Sequence, residues 1–263
     1  MSGLPAVGLV MVLSYLAGSI PTSIIMGRLL FGKDVRDLGS GNAGGTNAFR
    51  VFGWKAGLPT VIVDVGKGLL ATLLVSRLAV EPPVPRELVQ VLAGCSAVVG
   101  HIWTVFARFR GGKGVGTAAG MVAALYPIPL AISAAVFAVV LFATGIVSLA
   151  SIVTATAFPV VLAALNTTGV VAVPPVLFWF SLPLAGLIVF THRANIRRLI
   201  AGSENRFPKL MVFSRLVRRI RGGRTQAESG AQPPASADRG SGSSTASTAG
   251  SSGDATTSPD SIP

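Results

Sequence analysis

Seven apolar runs, at about 4–31, 56–79, 88–107, 115–126, 128–147, 149–166 and 174–191, constrain this chain more than any other feature. Most are close to 20 residues, the length at which a helix crosses a hydrocarbon core of about 30 Å. In that solvent every backbone N–H and C=O must be satisfied within the protein, so the runs have to be helices. Only 12% of the 263 residues are charged, against about 25% in soluble domains. The expected fold is therefore an all-α integral membrane protein with about seven transmembrane helices. Tyr126-Pro127-Ile128-Pro129 divides the uncharged stretch 115–147, because proline disfavours helix at and before its own position. The fourth helix is left short.

The net charge of +12 is compatible with nucleic acid, but its distribution is not that of a nucleic-acid surface. Lys33, Arg36, Arg50 and Lys55 fall in one loop, Arg108, Arg110 and Lys113 in another, and Arg193, Arg197, Arg198, Arg206 and Lys209 after the last run. The alternate loops hold only Arg86. By the positive-inside rule the N-terminus faces outward and the C-terminus is cytoplasmic, which an odd number of helices requires. Membrane lipids, and no nucleic acid, are the expected surroundings. The segment Met1–Leu4 lacks the basic residues of a cleaved signal peptide, so the first run is expected to be retained.

Three parts are expected: a transmembrane domain at 1–213, a basic juxtamembrane segment at 214–224 suited to anionic headgroups, and a tail at 225–263. The tail is Ser, Gly, Thr, Ala and Pro with almost no large apolar residue, and is expected to be disordered. The single cysteine, Cys95, lies in an apolar run and allows neither an internal disulfide nor a Cys-based zinc site. No metal or cofactor is expected.

Three polar motifs interrupt this apolar background, all on the basic side. The first is Gly39-Ser40-Gly41-Asn42-Ala43-Gly44-Gly45-Thr46-Asn47, followed by Arg50. Glycines let backbone N–H groups close on an anion. Ser40, Asn42, Thr46 and Asn47 add neutral donors, and Arg50 adds a guanidinium fork matched to phosphate oxygens. No Gly-Lys-Ser/Thr follows, so this is not a Walker loop. The second motif is Gly100-His101, then Arg110-Gly111-Gly112-Lys113-Gly114. A basic anchor that only sets topology needs no approachable backbone, so Lys113 among glycines reads as a second phosphate contact. Arg108 and His101 read as structural.

The third motif is His192-Arg193-Ala194-Asn195-Ile196-Arg197-Arg198, with Gly202 and Glu204 behind it. His192 and Asn195 share a helix face at i, i+3. Glu204 is expected to pair with an arginine rather than act as a base. Asp64 and Lys67, also i, i+3, lie inside the second run, where a charge is costly unless paired or functional. They are read as an internal ion pair, with a proton relay as the sharper alternative. Ser148, Ser151 and Thr154 suit helix packing. Ser148 is also taken as a pocket residue.

In order and spacing these motifs resemble those of the PlsY family, the bacterial acyl-phosphate-dependent glycerol-3-phosphate acyltransferases, over about residues 14–209. Gly18-Ser19-Ile20-Pro21-Thr22 and Asp64-x-x-Lys67-Gly68 extend the likeness. Gly45, Trp103-Thr104 and Arg110 depart from it, where alanine, Phe-Pro and lysine are usual. The resemblance implies seven helices and a cytoplasmic site in a bacterial plasma membrane. It implies acyl phosphate as donor, glycerol 3-phosphate as acceptor, and lysophosphatidate and phosphate as products. Functional coupling to an acyl-phosphate-forming enzyme follows. Ser40, Arg50, Lys113, His192 and Asn195 would be catalytic, with His192 a polarising donor near the carbonyl. Gly39, Gly41, Asn42, Gly44, Thr46, Asn47, Gly111, Gly112, Gly114 and Ser148 would bind substrate. Neither a His-x4-Asp pattern nor a Gly-x-Ser-x-Gly elbow is present. A transporter of a phosphorylated anion is the competing reading. It would carry its site at the bilayer midplane, often between repeats, whereas these motifs gather at one side and no repeat is seen.

Overall fold

The computed structural model describes residues 3–208 and 211. The expected basic segment 214–224 and tail 225–263 lie outside the described residues. All regular structure among the described residues is helical, apart from a single bridge residue. Ten helices follow one another: α1 (Gly3–Gly18), α2 (Thr22–Phe31), α3 (Gly45–Phe52), α4 (Trp54–Leu73), α5 (Arg86–Ile102), α6 (Val115–Leu125), α7 (Pro127–Thr144), α8 (Val147–Thr167), α9 (Pro175–Thr191) and α10 (Arg193–Ile200).

Every expected apolar run is helical, and the runs differ in length. Five stretches are long and apolar enough to cross a bilayer: Gly3–Phe31, Trp54–Leu78, Arg86–Ala107, Pro127–Thr144 and Val147–Thr167. Helices α9 and α10, bent by 60° to each other, make a sixth when the pair is counted as one span. The fourth helix, expected to be short, is α6, with 11 residues, about 16 Å at 1.5 Å per residue, or half the hydrocarbon thickness. Apolar side chains such as Val12, Ile62, Val139 and Val160 stay exposed on the outer faces. That surface suits lipid rather than water.

The first run, expected as one helix, breaks at Ser19–Pro21 because Pro21 supplies no N–H to carry the ladder forward. The freed carbonyls are claimed from elsewhere. Lys67 Nζ donates to Ile20 O at 2.9 Å, and Thr104 Oγ1 donates to Ser19 O. At the end opposite the motifs, Arg86 donates to the carbonyls of Ser76, Ala79 and Val80 at 2.8–3.1 Å. Arg86 is thus used to close a turn.

Two helix pairs approach so closely that only glycine fits. A Cβ on Gly68 of α4 would stand 1.9 Å from Thr117 O of α6, and one on Gly120 of α6 would stand 1.9 Å from Val65 O of α4. Gly18 and Gly100 lock α1 to α5 in the same reciprocal way, each 2.1 Å from a carbonyl oxygen of the other helix. In lipid no hydrophobic force draws helices together, so this backbone-level packing carries the association. It brings α4, α5 and α6, and the loops they carry, to one end of the bundle.

Candidate active site

The first motif forms a loop closed by one side chain. Asn47, 1% exposed, accepts from the Ser40 N–H at 2.9 Å and donates through Nδ2 to Val35 O and Leu38 O at 2.9 and 3.0 Å. Its amide thus ties the loop together. Gly39 has φ +60°, and a Cβ there would stand 2.4 Å from the Asn47 oxygen. Gly39 and Gly41 shape the loop from behind. What the loop presents is Ser40, Asn42 and the first turn of α3, with Arg50 one and a half turns on. The Arg50 guanidinium lies 5.0 Å over the Phe207 ring, which holds it as a cation over a π face.

The second motif is folded onto His101. The Gly111 N–H donates to Ile102 O at 3.1 Å and the Gly112 N–H to His101 O at 3.0 Å. A Cβ on Gly111 would meet His101 O at 2.1 Å, and one on Gly112 would meet His101 Nε2 at 2.2 Å. These two glycines, expected to bind substrate, pack against the end of α5. Lys113 and Gly114 emerge beyond them. Gly114, at φ +85°, caps α6, and Thr191 Oγ1 ties the Lys113 carbonyl to α9 at 3.1 Å.

The third motif supplies a chain of hydrogen bonds. Lys113 Nζ donates to Asn195 Oδ1 at 2.5 Å. Asn195 Nδ2 donates to Glu204 Oε1 at 2.6 Å, where Ser148 Oγ also donates at 2.8 Å. Arg198 Nε donates to Glu204 Oε2 at 2.7 Å, the arginine pairing expected of Glu204. Asn195 therefore offers its oxygen to Lys113 and spends a donor on Glu204. Burial raises the Glu204 pKa, but the bonds from Asn195, Ser148 and Arg198 outweigh this and hold it below the ordinary carboxylate value. His192 Nδ1 lies 2.7 Å from Ile188 O. A carbonyl has no proton to give, so Nδ1 carries it. Burial, with the Lys113 charge, lowers the His192 pKa to about 4 against the pull of Ile188 and Glu204. A neutral ring with its proton on Nδ1 presents Nε2 as an acceptor.

These parts enclose a polar cavity of about 230 Å³. Of the residues expected at the site, Ser40, Asn42, Gly44, Thr46, Asn47, Arg50, Lys113, Gly114, Ser148, His192 and Asn195 line it. Gly39, Gly41, Gly111 and Gly112 do not. Both α3 and α6 put their first turns into the wall, through Gly45 and Thr46 and through Val115 and Gly116. Their free N–H groups and dipoles favour an anion there. Burial pushes the Lys113 ammonium down to about 8, with Arg198 and Arg50 adding to the effect and Glu204 opposing it.

The wall also holds residues that the sequence does not mark as site residues: Asp64 and His101 read as structural, Ser151 suits helix packing, and Asn205 and Phe137 carry no signal. For Asp64 the signal was present, a charge at membrane depth. The polar cavity also shares Val61, Val115, Gly116, Phe137 and Ser151 with an apolar groove of about 360 Å³ between α4, α6, α7, α8 and α9. The groove is lined by residues such as Ala118, Ala134, Leu130, Phe158 and Leu184. No local motif announces it, because it is assembled from single faces of five helices.

The family described as "Glycerol-3-phosphate acyltransferase" matches residues 8–202. This chain belongs to that family. It is 46% identical over 222 residues to the glycerol-3-phosphate acyltransferase of Chlorobium phaeobacteroides (strain BS1), an alignment covering 75% of this chain and 94% of the relative. It is 44% identical over 222 residues to that of Chlorobium chlorochromatii, covering 75% and 95%. Its fold resembles the crystal structure of PlsY, an integral membrane glycerol 3-phosphate acyltransferase, in the glycerol 3-phosphate form. The TM-score is 0.68 at 32% identity, covering 79% of this chain and 98% of that one. The lysophosphatidic acid form gives 0.66 at 30% identity. Family membership makes this chain a membrane-embedded acyltransferase.

Proposed function

We propose that this enzyme transfers a fatty acyl group from acyl phosphate to the sn-1 hydroxyl of glycerol 3-phosphate, on the cytoplasmic side of a bacterial plasma membrane. What carries this reading is the continuity of the cationic cavity with the apolar groove. A donor with a phosphate at one end and an alkyl chain at the other matches that shape. Relatives named for glycerol 3-phosphate, and a solved PlsY structure in its glycerol 3-phosphate form, support the acceptor.

Acyl phosphate is a mixed anhydride, already activated. The protein has to hold two phosphates, align a hydroxyl with a carbonyl carbon, and offset developing charge. Arg50, Ser40 and the first turn of α3 suit one phosphate; Lys113 and the first turn of α6 suit the other. The acceptor oxygen bonds to the carbonyl carbon as the carbon–oxygen bond to phosphate breaks. The hydroxyl proton leaves on the departing phosphate as hydrogen phosphate. His192, with a pKa near 4, is too weak a base to hold that proton, and its Nε2 orients the hydroxyl instead. Ser40 contributes a phosphate contact, not a nucleophile, so no acyl-enzyme forms. The basic loops 32–55 and 107–114 support the cytoplasmic placement.

Initial rates with both substrates varied test this. A direct transfer needs a ternary complex and gives intersecting double-reciprocal lines. Parallel lines, or acyl-enzyme trapped on Ser40 without acceptor, contradict it, and absence of turnover contradicts the substrate assignment itself.

A further inference from the structure

A carboxylate is out of place in a cavity built for phosphates. Asp64 lines that cavity yet is only 5% exposed, inside the spanning helix α4. Lys67 Nζ holds its Oδ1 at 2.8 Å, and His101 Nδ1 stands 3.5 Å from the same oxygen. Lys67 is fixed in turn by Ile20 O at 2.9 Å and lies 3.3 Å from His101 Nδ1. Lys67 and His101 both contact Asp64 at Oδ1. Asp64 is itself a residue of the cavity wall, and a carboxylate has a second oxygen with which to accept from a ligand there. The other carboxylate of the wall, Glu204, is committed to Asn195, Ser148 and Arg198.

A purely structural role is a weak explanation for this arrangement. Buried ion pairs are often replaced by apolar residues without loss of stability, and the glycines of α4 and α6 already hold those helices together. An anionic wall repels phosphate and attracts hydroxyl donors. Glycerol 3-phosphate has two hydroxyls, of which one reacts and faces His192 Nε2 in the reading above. The other needs an acceptor.

On the strength of that reading, we propose that Asp64 binds the non-reacting hydroxyl of the acceptor and so selects a polyol phosphate over a simpler phosphate alcohol. Lys67 and His101 fix the direction of the carboxylate. The repulsion between Asp64 and phosphate turns the acceptor so that its anionic end lies toward Lys113 or Arg50.

The test compares kcat/KM for glycerol 3-phosphate and for 3-hydroxypropyl phosphate, which lacks only the C2 hydroxyl, with acyl phosphate as donor. A site built to bond a hydroxyl rejects the analogue lacking it, so the wild type should prefer glycerol 3-phosphate by at least about 10²-fold. In the double variant Asp64→Leu with Lys67→Met, which leaves no lone buried charge, the preference should fall to a few-fold. Asp64→Asn, closest in shape, is the second variant and should lose preference in the same direction. A structural role would lower both substrates together and leave the ratio unchanged, and that result overturns the proposal. Equal use of both acceptors by the wild type overturns it without any variant. No product from either acceptor would remove the transferase reading, and this assignment with it.

Discussion

Lys113 and Asn195, 82 residues apart in sequence, are joined by a 2.5 Å hydrogen bond from the ammonium to the amide oxygen. The bond makes the second and third motifs one unit. It also leaves the ammonium with two protons for a ligand, since an amine cation has three to give. Lys113→Ala should lower kcat/KM by about 10²–10³, the usual cost of removing one preorganised donor. Asn195→Ala should cost less, because it frees rather than removes the cation. Steady-state kinetics on detergent-purified variants with unchanged elution on size exclusion check this.

The same cation predicts a pH dependence. An amine binds phosphate while protonated, and burial brings the Lys113 pKa down to about 8. The kcat/KM of the free enzyme should therefore fall as pH rises through about 8. Lys113→Arg keeps its charge well above that range, and should remove the alkaline limb even where it lowers the maximum. An unchanged limb in Lys113→Arg would assign the titration to another group.

His192 separates two roles. As a neutral ring with Nδ1 bound to Ile188, it can only accept at Nε2. His192→Ala should lower kcat by about 10²-fold or more. Lysine at the same position offers donors only and should not restore turnover, whereas glutamine offers an acceptor oxygen and should recover part of it. Rescue by lysine alone would show that a donor is needed there.

The glycine contacts between α4 and α6 make a prediction on stability. Gly68→Ala or Gly120→Ala places a methyl against a carbonyl oxygen and should destabilise by about 1–3 kcal/mol, as overpacking does, with loss of activity as the cavity wall shifts. Gly66→Ala, in the same helix with nothing within 4 Å of the added Cβ, is the control and should be neutral. Thermal unfolding in detergent reads the difference.

The proposed sidedness rests on the distribution of Lys and Arg. Single cysteines at Arg110 and Glu81, both exposed, should label with an impermeant maleimide from opposite faces, Arg110→Cys only from the cytoplasmic side. Cys95 is half-buried and should be replaced first.

The helices were legible because apolar length is a local property, and the motif positions were legible because glycine and charge are rare in that background. Whether a helix spans was less so. The 11 residues of α6 end where Tyr126 and Pro127 stop them, and the break at Pro21 is visible only once Lys67 and Thr104 are seen to satisfy it. Within the motifs, sequence could not tell a ligand from a support. Asn47, Gly111 and Gly112 look like phosphate contacts, and their polar groups bond within the loops. Asp64 and His101 look like supports and reach the cavity. The difference lies in which way each polar atom points, and contacts made only in the folded chain decide that, such as Asn47 with the carbonyls of Val35 and Leu38 and Asp64 with His101.

The central claim, direct acyl transfer from phosphate to glycerol 3-phosphate, is tested most directly by phosphorus NMR of the purified protein. Acyl phosphate, acyl-CoA or acylated carrier protein is supplied in turn with glycerol 3-phosphate. With acyl phosphate, the mixed-anhydride signal should give way to inorganic phosphate and lysophosphatidate in equal amounts, and the thioesters should yield neither. Lysophosphatidate formed from a thioester, with acyl phosphate left intact, would contradict it.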